Sequence, residues 1–213
     1  MKKQLEPFYM ANKLEAGIDE AGRGPLFGRL YVGAAILPLE DYQHSLMRDS
    51  KKLSERKRLI AYDYIKENAI DYAVHFVSAV EIDLHNILQS TLNGMHKALD
   101  KLLVTPDQLL VDGSCFNPYM KCDKLIPFRC FHGGDDKYTP IAAASILAKV
   151  EHDKYIEEIC KNNPELDEKY GLLSNKGYGT QQHLAGIKEH GISEWHRKSF
   201  GICKNYKYVK KLK

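Results

Sequence analysis

Ala16 to Pro25, AGIDEAGRGP, constrains this chain more than any other stretch. An apolar run (Leu14, Ala16, Ile18) leads into two adjacent carboxylates, Asp19 and Glu20, and then into a turn of Gly22, Arg23 and Gly24. Acids at the end of a buried strand, followed at once by a glycine loop carrying an arginine, suit a place where something charged is held. The carboxylates suit a divalent cation, and the loop amides with Arg23 suit an anion such as a phosphate. Metal beside phosphate points to phosphodiester chemistry. Alone, the acidic pair says little, because 28 acids in 213 residues produce about four such pairs by chance. A tight turn after a strand explains Gly-Arg-Gly almost as well. The pair needs partners elsewhere in the chain.

The length suits one sizeable domain, and 44% hydrophobic with 28% charged residues is an ordinary globular balance. No apolar run approaches the ~20 residues that span a bilayer, and the first residues lack the apolar core of a secretory signal. Five cysteines, odd in number and without a C-x-x-C pair, argue against a zinc site or a disulfide framework. They point to a reducing, cytoplasmic setting. The net charge of +3 is uneven, since 197–213 holds seven basic residues and no acid. With Tyr206 and Tyr208 interleaved, that tail suits a nucleic-acid backbone; a solvated terminus explains it equally well.

Periodicity predicts strands over Leu14–Asp19 and Leu30–Leu37, paired as a hairpin around the glycine turn, and another over Tyr72–Val80. Ser54 is positioned to cap a helix reaching about Asn68, and Ile82–Leu103 has helical apolar spacing. A short buried strand over Leu109–Val111 ends on Asp112-Gly113, and Leu125–Phe131 reads as one further strand. A long helix runs from Thr139 to about Cys160, with Pro140 in its first turn. Thr180 caps a last helix to about Glu189. Strands early and helices late make an α/β domain with a mixed sheet.

Three more signals join the opening pair. Asp112 closes the strand of LLVDG, which an Asx turn would also explain. GGDD, 133–136, precedes the long helix, where Asp135 or Asp136 could serve only its dipole. KGYGT, 176–180, flanks Tyr178 with glycines, which lets a ring reach a sugar or base. Together with DSKKLS (49–54), AAASILAKV (142–150) and HRKSF (196–200), and in this order and spacing, these blocks closely resemble the ribonuclease HII family, the type 2 ribonucleases H. The resemblance covers about residues 14–200.

The resemblance implies a ribonuclease H-like mixed sheet flanked by helices (about 14–162), a C-terminal helical extension (about 163–200) and the basic tail (201–213), as a single domain. It implies an endonuclease that cleaves RNA in RNA–DNA hybrids and at single ribonucleotides embedded in duplex DNA, leaving 3′-hydroxyl and 5′-phosphate ends. By motif, Asp19, Glu20, Asp112 and Asp135 correspond to the metal-holding carboxylates. Asp135 is chosen over Asp136 because it stands ten residues before Ser145. Gly22, Arg23 and Gly24 correspond to the loop on the ribonucleotide and its phosphate, and Tyr178 to the tyrosine that senses the RNA-to-DNA step. Lys51 is a phosphate contact by the same reading.

Hydrolysis of a phosphodiester suits two cations ~3.5–4 Å apart, with Mg²⁺ or Mn²⁺ favoured by hard oxygen ligands. One difficulty remains in the strand. Successive residues face opposite sides, so Asp19 and Glu20 converge only if the glycine turn bends the chain there or Glu20 offers its backbone carbonyl. The chain departs from the family at His152, where an arginine is usual, at Thr139 and at Trp195. Ribonuclease HIII is the nearest alternative, but it carries an extra N-terminal domain ahead of its acidic pair, which here begins at residue 19. A duplex-binding module without catalysis is the alternative from another class. The expected partners are RNA–DNA hybrid duplex and ribonucleotide-containing duplex DNA, with no membrane, protein partners left open, and the chain a monomer.

Overall fold

The expected hairpin is the middle of the sheet. The computed structural model describes residues 4–206 and 208. In it β1 (Glu15–Ala21) and β2 (Leu30–Ile36) pair antiparallel, from Ala16 opposite Ile36 to Ala21 opposite Tyr31. With β3 (Asp71–Val77), β4 (Gln108–Asp112), the small hairpin of β5 (Tyr119–Lys121) and β6 (Lys124–Ile126), and β7 (Phe128–Phe131), the described residues hold seven strands. Five of them form one sheet in the order β3-β2-β1-β4-β7. β4 lies parallel to both β1 and β7. The sheet is therefore mixed, and its three parallel strands end together on one edge.

Both faces are covered. On one, Ile18, Val32 and Ala34 pack with Met95, Ala98 and Leu99 of α2 (Ala79–Asp100). On the other, Ala35 packs with Ala61 and Ile65 of α1 (Glu55–Asn68) and with Ala142, Ile146 and Leu147 of α3 (Thr139–Asn162). The small residues of α3 have a geometric cause. A Cβ on Gly17 would lie 2.0 Å from the Pro140 carbonyl carbon, and one on Gly33 only 2.2 Å from the Ala144 oxygen. Helix backbone rests directly on strand backbone, which only glycine beneath it permits.

Three element boundaries differ from expectation. β3 stops at Val77 instead of running to Val80, because Ser78 and Glu81 form a reciprocal capping box: the Ser78 N–H donates to Glu81 Oε2 (2.9 Å) and the Glu81 N–H to Ser78 Oγ (3.2 Å). α2 is kinked at Asn86 (φ +64), whose Oδ1 accepts from the Leu88 and Gln89 amides and so caps its second half. Leu125–Phe131 is two strands rather than one, divided at Pro127, which has no N–H for a ladder. Ser54 does stand at the start of α1, in extended backbone, but its side chain makes no capping bond.

The chain forms two compact units. One is built from the described residues up to Ala21, Tyr31–Phe76 and Thr91–Glu151; the other from Gly22–Leu30, Val77–Ser90 and the described residues from His152 on. The second unit includes α4 (Pro164–Tyr170), α5 (Leu172–Asn175) and α6 (Gln181–His190), around a core of Phe27, Ile156, Leu166, Tyr170, Ile187 and Cys203. Thr180 caps α6 as expected, its side chain accepting from the His183 amide. Tyr206 and Tyr208 pack against this core, so the tyrosines of the basic tail are partly buried. Lys207, Lys210, Lys211 and Lys213 lie outside the described residues.

Candidate active site

The parallel strands of the first unit place the acids. Ile18 of β1 is in register with Val111 of β4, so Asp19 and Asp112 come next on neighbouring strands. Asp112 is paired with Phe131, the last residue of β7, after which the chain turns through Gly134–Asp136 and carries Asp135 back. The Gly134 N–H donates to Asp112 Oδ1 at 2.7 Å and ties that turn to the strand end. Three loci far apart in sequence thus meet at one sheet edge.

Asp19 is buried, and its carboxyl is held well above the usual carboxylate range. Burial is the main cause, followed by the charges of Glu20 and Asp112. The Ser145 hydroxyl and the Glu20 N–H, which donates to Asp19 Oδ1 at 2.7 Å, oppose this. Ser145 Oγ in turn stands 3.0 Å from Ser50 Oγ, so the DSK segment, α3 and Asp19 form one hydrogen-bonded series. Asp135 is pushed up to about 6 by burial and by Asp49 and Asp112, with Lys51 pulling it down. Asp136 is engaged elsewhere, 2.7 Å from Lys52 Nζ.

The strand does not bend at Glu20. β1 keeps regular pairing through Ala21, so Asp19 shares the α3 face with Gly17 while Glu20 shares the opposite face with Ile18. Among the described residues no three His, Cys, Asp or Glu side chains stand together as a formed metal-holding group. The donor chemistry nonetheless fits a divalent cation, because hard carboxylate oxygens repel one another at this edge and Lys51 is the cation that acts on Asp135.

The second unit holds the other expected residues. Gly22 takes φ +90, with the His152 ring so near that a Cβ would meet its Cδ2 at 2.6 Å. His152 keeps a bond to Asp153 through Nδ1 (3.0 Å) at the position where an arginine is usual. Tyr178 is 44% exposed, and a Cβ on Gly24 would touch its Cε1 at 3.2 Å, so the ring lies over Gly24. Gly22, Arg23, Gly24 and Tyr178 are therefore brought together; Lys51 stands with the acids instead.

The sequence reading missed Arg197. Counted with the basic tail, it is in fact fully buried, and its guanidinium donates to the carbonyls of Gly22 (2.6 Å), Arg23 (2.9 Å) and Gly28 (3.0 Å). Burial lowers it to about 10, which leaves it charged at neutral pH. It clamps the glycine loop from within. Ser50 and Ser145 were missed too, although both lie inside blocks singled out above.

The family model for Ribonuclease HII matches residues 16–203. A Ribonuclease HII of Parabacteroides distasonis is 45% identical over 198 residues, covering 93% of this chain and 95% of that protein. The chain belongs to the ribonuclease HII family. It is a ribonuclease H, a nuclease of the hydrolase class. Another relative, the Ribonuclease HII of Bacteroides thetaiotaomicron, is 43% identical over 93% of this chain and 94% of that protein. Among solved structures, the ribonuclease H2 of Pyrococcus horikoshii OT3 superposes with TM-score 0.72 at 27% identity, covering 90% of this chain and 95% of that one. The RNase HII of Archaeoglobus fulgidus, solved in complex with PCNA, gives 0.65 at 27%, over 88% and 95%. Bst-RNase HIII shares the fold (TM-score 0.63, 22% identity), and this chain spans 63% of its length.

Proposed function

We propose that this ribonuclease H hydrolyses the RNA strand of RNA–DNA hybrids and incises on the 5′ side of single ribonucleotides in duplex DNA, serving ribonucleotide and RNA-primer removal. The observation that carries the reading is the convergence of Asp19, Asp112 and the Asp135 turn at the ends of adjacent parallel strands. Enzymes of this family depend on a divalent metal. Asp19, Asp112 and Asp135 would hold it, with Glu20 contributing its backbone carbonyl, and two Mg²⁺ or Mn²⁺ ions are favoured at turnover. When bound, such ions activate water and relieve charge on the leaving 3′-oxygen.

The chain's own residues do the rest. Ser145 orients Asp19 and opposes, with the Glu20 N–H, the rise in its proton affinity that burial and the neighbouring acids cause. The Gly134 amide does the same for the direction of Asp112. Arg197 presents the Gly22-Arg23-Gly24 backbone in one conformation, which leaves the loop N–H groups to meet a phosphate and a 2′-hydroxyl. Tyr178 over Gly24 offers its ring to the sugar at the RNA-to-DNA step, and Lys51 contacts a phosphate. The protein works as a single-domain monomer in the cytoplasm; its five free cysteines suit a reducing compartment.

The test is a duplex containing one ribonucleotide, incubated with Mg²⁺, Mn²⁺ or EDTA, with an all-DNA duplex as control. Metal-dependent incision 5′ of the ribonucleotide, with 3′-hydroxyl and 5′-phosphate ends, is the expected result. Cleavage of long hybrids only would overturn the single-ribonucleotide part. Tight binding without any cleavage would overturn the catalytic assignment.

A further inference from the structure

Two of the chain's nine histidines have no place in the chemistry above, yet both are buried in the second unit. The first turn of α6 directs His183 inward, where it is 0% exposed. His196 arrives from the following loop, 1% exposed, with Tyr170 edge-on at 4.8 Å and Phe27 at 5.1 Å. The rings meet Nε2 to Nε2 at 3.0 Å. Two neutral imidazoles in that contact need one donor and one acceptor.

Ser193 decides which is which. Its main-chain N–H donates to His196 Nδ1 at 3.0 Å, with its hydroxyl 2.8 Å from the same nitrogen, so Nδ1 accepts. The His196 proton is then on Nε2 and is donated to His183 Nε2. His183 must carry its own proton on Nδ1, which lies 3.0 Å from the Tyr178 carbonyl oxygen and donates to it. Every hydrogen bond in the series runs one way. Burial keeps both rings neutral: it lowers His183, and with His183 beside it His196 falls to about 3.

The end of the series matters because of what flanks it. Tyr178 stands between Gly177, at φ +85, and Gly179, so its peptide planes have unusual freedom. The Tyr178 N–H donates to the Asn175 carbonyl, and the Thr180 N–H shares the Tyr178 carbonyl with His183. Gly177 accepts from the Leu26 N–H, which joins this turn to the glycine loop. The Tyr178 carbonyl is thus held from two sides, and the His183 bond is the one supplied by a side chain.

We propose that His183 and His196 are specificity-positioning residues, a directional relay that fixes Tyr178 over Gly24 for recognition of the RNA-to-DNA step. The proposal rests on the reading of Tyr178 given above. Neither histidine touches substrate; both act through the Tyr178 main chain.

The experiment compares His183→Asn, His183→Gln and Tyr178→Ala in the full chain, on a single-ribonucleotide duplex and on an all-RNA hybrid. Asparagine places an amide nitrogen where Nδ1 stood and keeps the donor to Tyr178, whereas glutamine reaches the Nε2 position and loses it. His183→Gln is expected to lower kcat/KM about tenfold on the single ribonucleotide and less than about threefold on the hybrid. His183→Asn stays within about threefold of wild type on both. Equal losses in Asn and Gln variants on both substrates would overturn the relay. If Tyr178→Ala itself loses equally on both substrates, the Tyr178 reading fails and the relay with it; a selective Tyr178→Ala beside an unselective His183→Gln overturns the relay alone. A measurement on the wild-type protein stands apart from folding of the variants. Ring ¹⁵N NMR is expected to show His183 protonated at Nδ1 and His196 at Nε2, and the opposite tautomer at either ring overturns the proposal.

Discussion

Gly33→Ala tests whether the contact of α3 with the sheet sets the site. Gly33 is the register partner of Asp19, and its backbone is in a region open to alanine, so the substitution adds one methyl group and no dihedral strain. That methyl would lie 2.2 Å from the Ala144 oxygen and 3.0 Å from its carbonyl carbon, where ordinary contact begins at 3.4 Å. The helix backbone must retreat by roughly 1.2 Å, the shortfall between those distances. Overpacking of this kind destabilises by about 1–3 kcal/mol. The retreat also carries Ser145 away from Asp19, and loss of a hydrogen bond to a charged acceptor adds about 1.5–3 kcal/mol. A total near 3–5 kcal/mol lowers Tm by roughly 10 °C in a chain of this size. Thermal unfolding checks it against Gly113→Ala, where a Cβ meets nothing within 4 Å but φ is +99. That control carries only the dihedral strain, about 1–3 kcal/mol. Activity of Gly33→Ala at a given metal concentration should fall as well, because Asp19 without Ser145 binds its proton more tightly. A Gly33→Ala protein melting within about 2 °C of wild type, or above Gly113→Ala, would show that the helix is not seated on the strand backbone.

Four further outcomes are expected. Asp19→Asn and Asp112→Asn each lower turnover at least about a thousandfold while duplex affinity, read by fluorescence anisotropy, holds; retained turnover in either removes that residue from the metal site. Mg²⁺ or Mn²⁺ at about 100 times its Kd adds about 2.7 kcal/mol to stability, and EDTA reverses the gain; a flat melting temperature across a metal titration contradicts the acidic cluster. Asp135 has its folded-state value raised to about 6, so the native state holds that proton more tightly than the unfolded chain does. In EDTA its contribution is present below about pH 4 and is lost as pH rises through about 6, so Asp135→Asn should be more stable than wild type at pH 7 and not at pH 4. Arg197→Met abandons three carbonyl bonds and is expected to raise KM for the single-ribonucleotide duplex several-fold, with Arg197→Lys restoring little because lysine lacks the planar fork.

The sheet was legible because its strands obey period two and end on chemistry. Leu14–Asp19 and Leu30–Leu37 declared both the hairpin and the edge where the acids stand, and the short run before Asp112 declared the neighbouring strand. Boundaries failed where a local hydrogen bond overrode periodicity. Ser78 with Glu81 begins a helix inside a stretch whose alternation still reads as strand, and that capping box was present in the sequence to be found. Asn86 breaks a helical apolar pattern without proline or glycine, through its own side chain. Pro127 was the visible signal that Leu125–Phe131 could not be one strand.

The residues that escaped sequence reading share a cause: their partners are backbone atoms. A carboxylate cluster announces itself by residue type, and Asp19, Asp112 and Asp135 could be named from spacing and family pattern. Arg197 bonds three carbonyls, an acceptor that every residue carries, so no side-chain pattern marks its target, and its place among lysines made it look like surface charge. The histidine series likewise begins at a main-chain N–H and ends at a main-chain carbonyl. Backbone recognition also explains why glycines crowd these turns. A loop read through its N–H and C=O groups must expose them, and a side chain at Gly22 would strike His152 while one at Gly24 would press on Tyr178. The acids that would hold metal are therefore written in side chains, whereas the residues proposed for selectivity hold conformations of the main chain. Substitutions at Arg197, His183 or His196 should consequently alter which substrate is chosen before they alter how the metal is held. Asparagine at 196 reaches only the Nδ1 position and loses the donor to His183, so measuring metal affinity by calorimetry in His196→Asn, with Kd unchanged beside a reduced preference for the single ribonucleotide, separates the two.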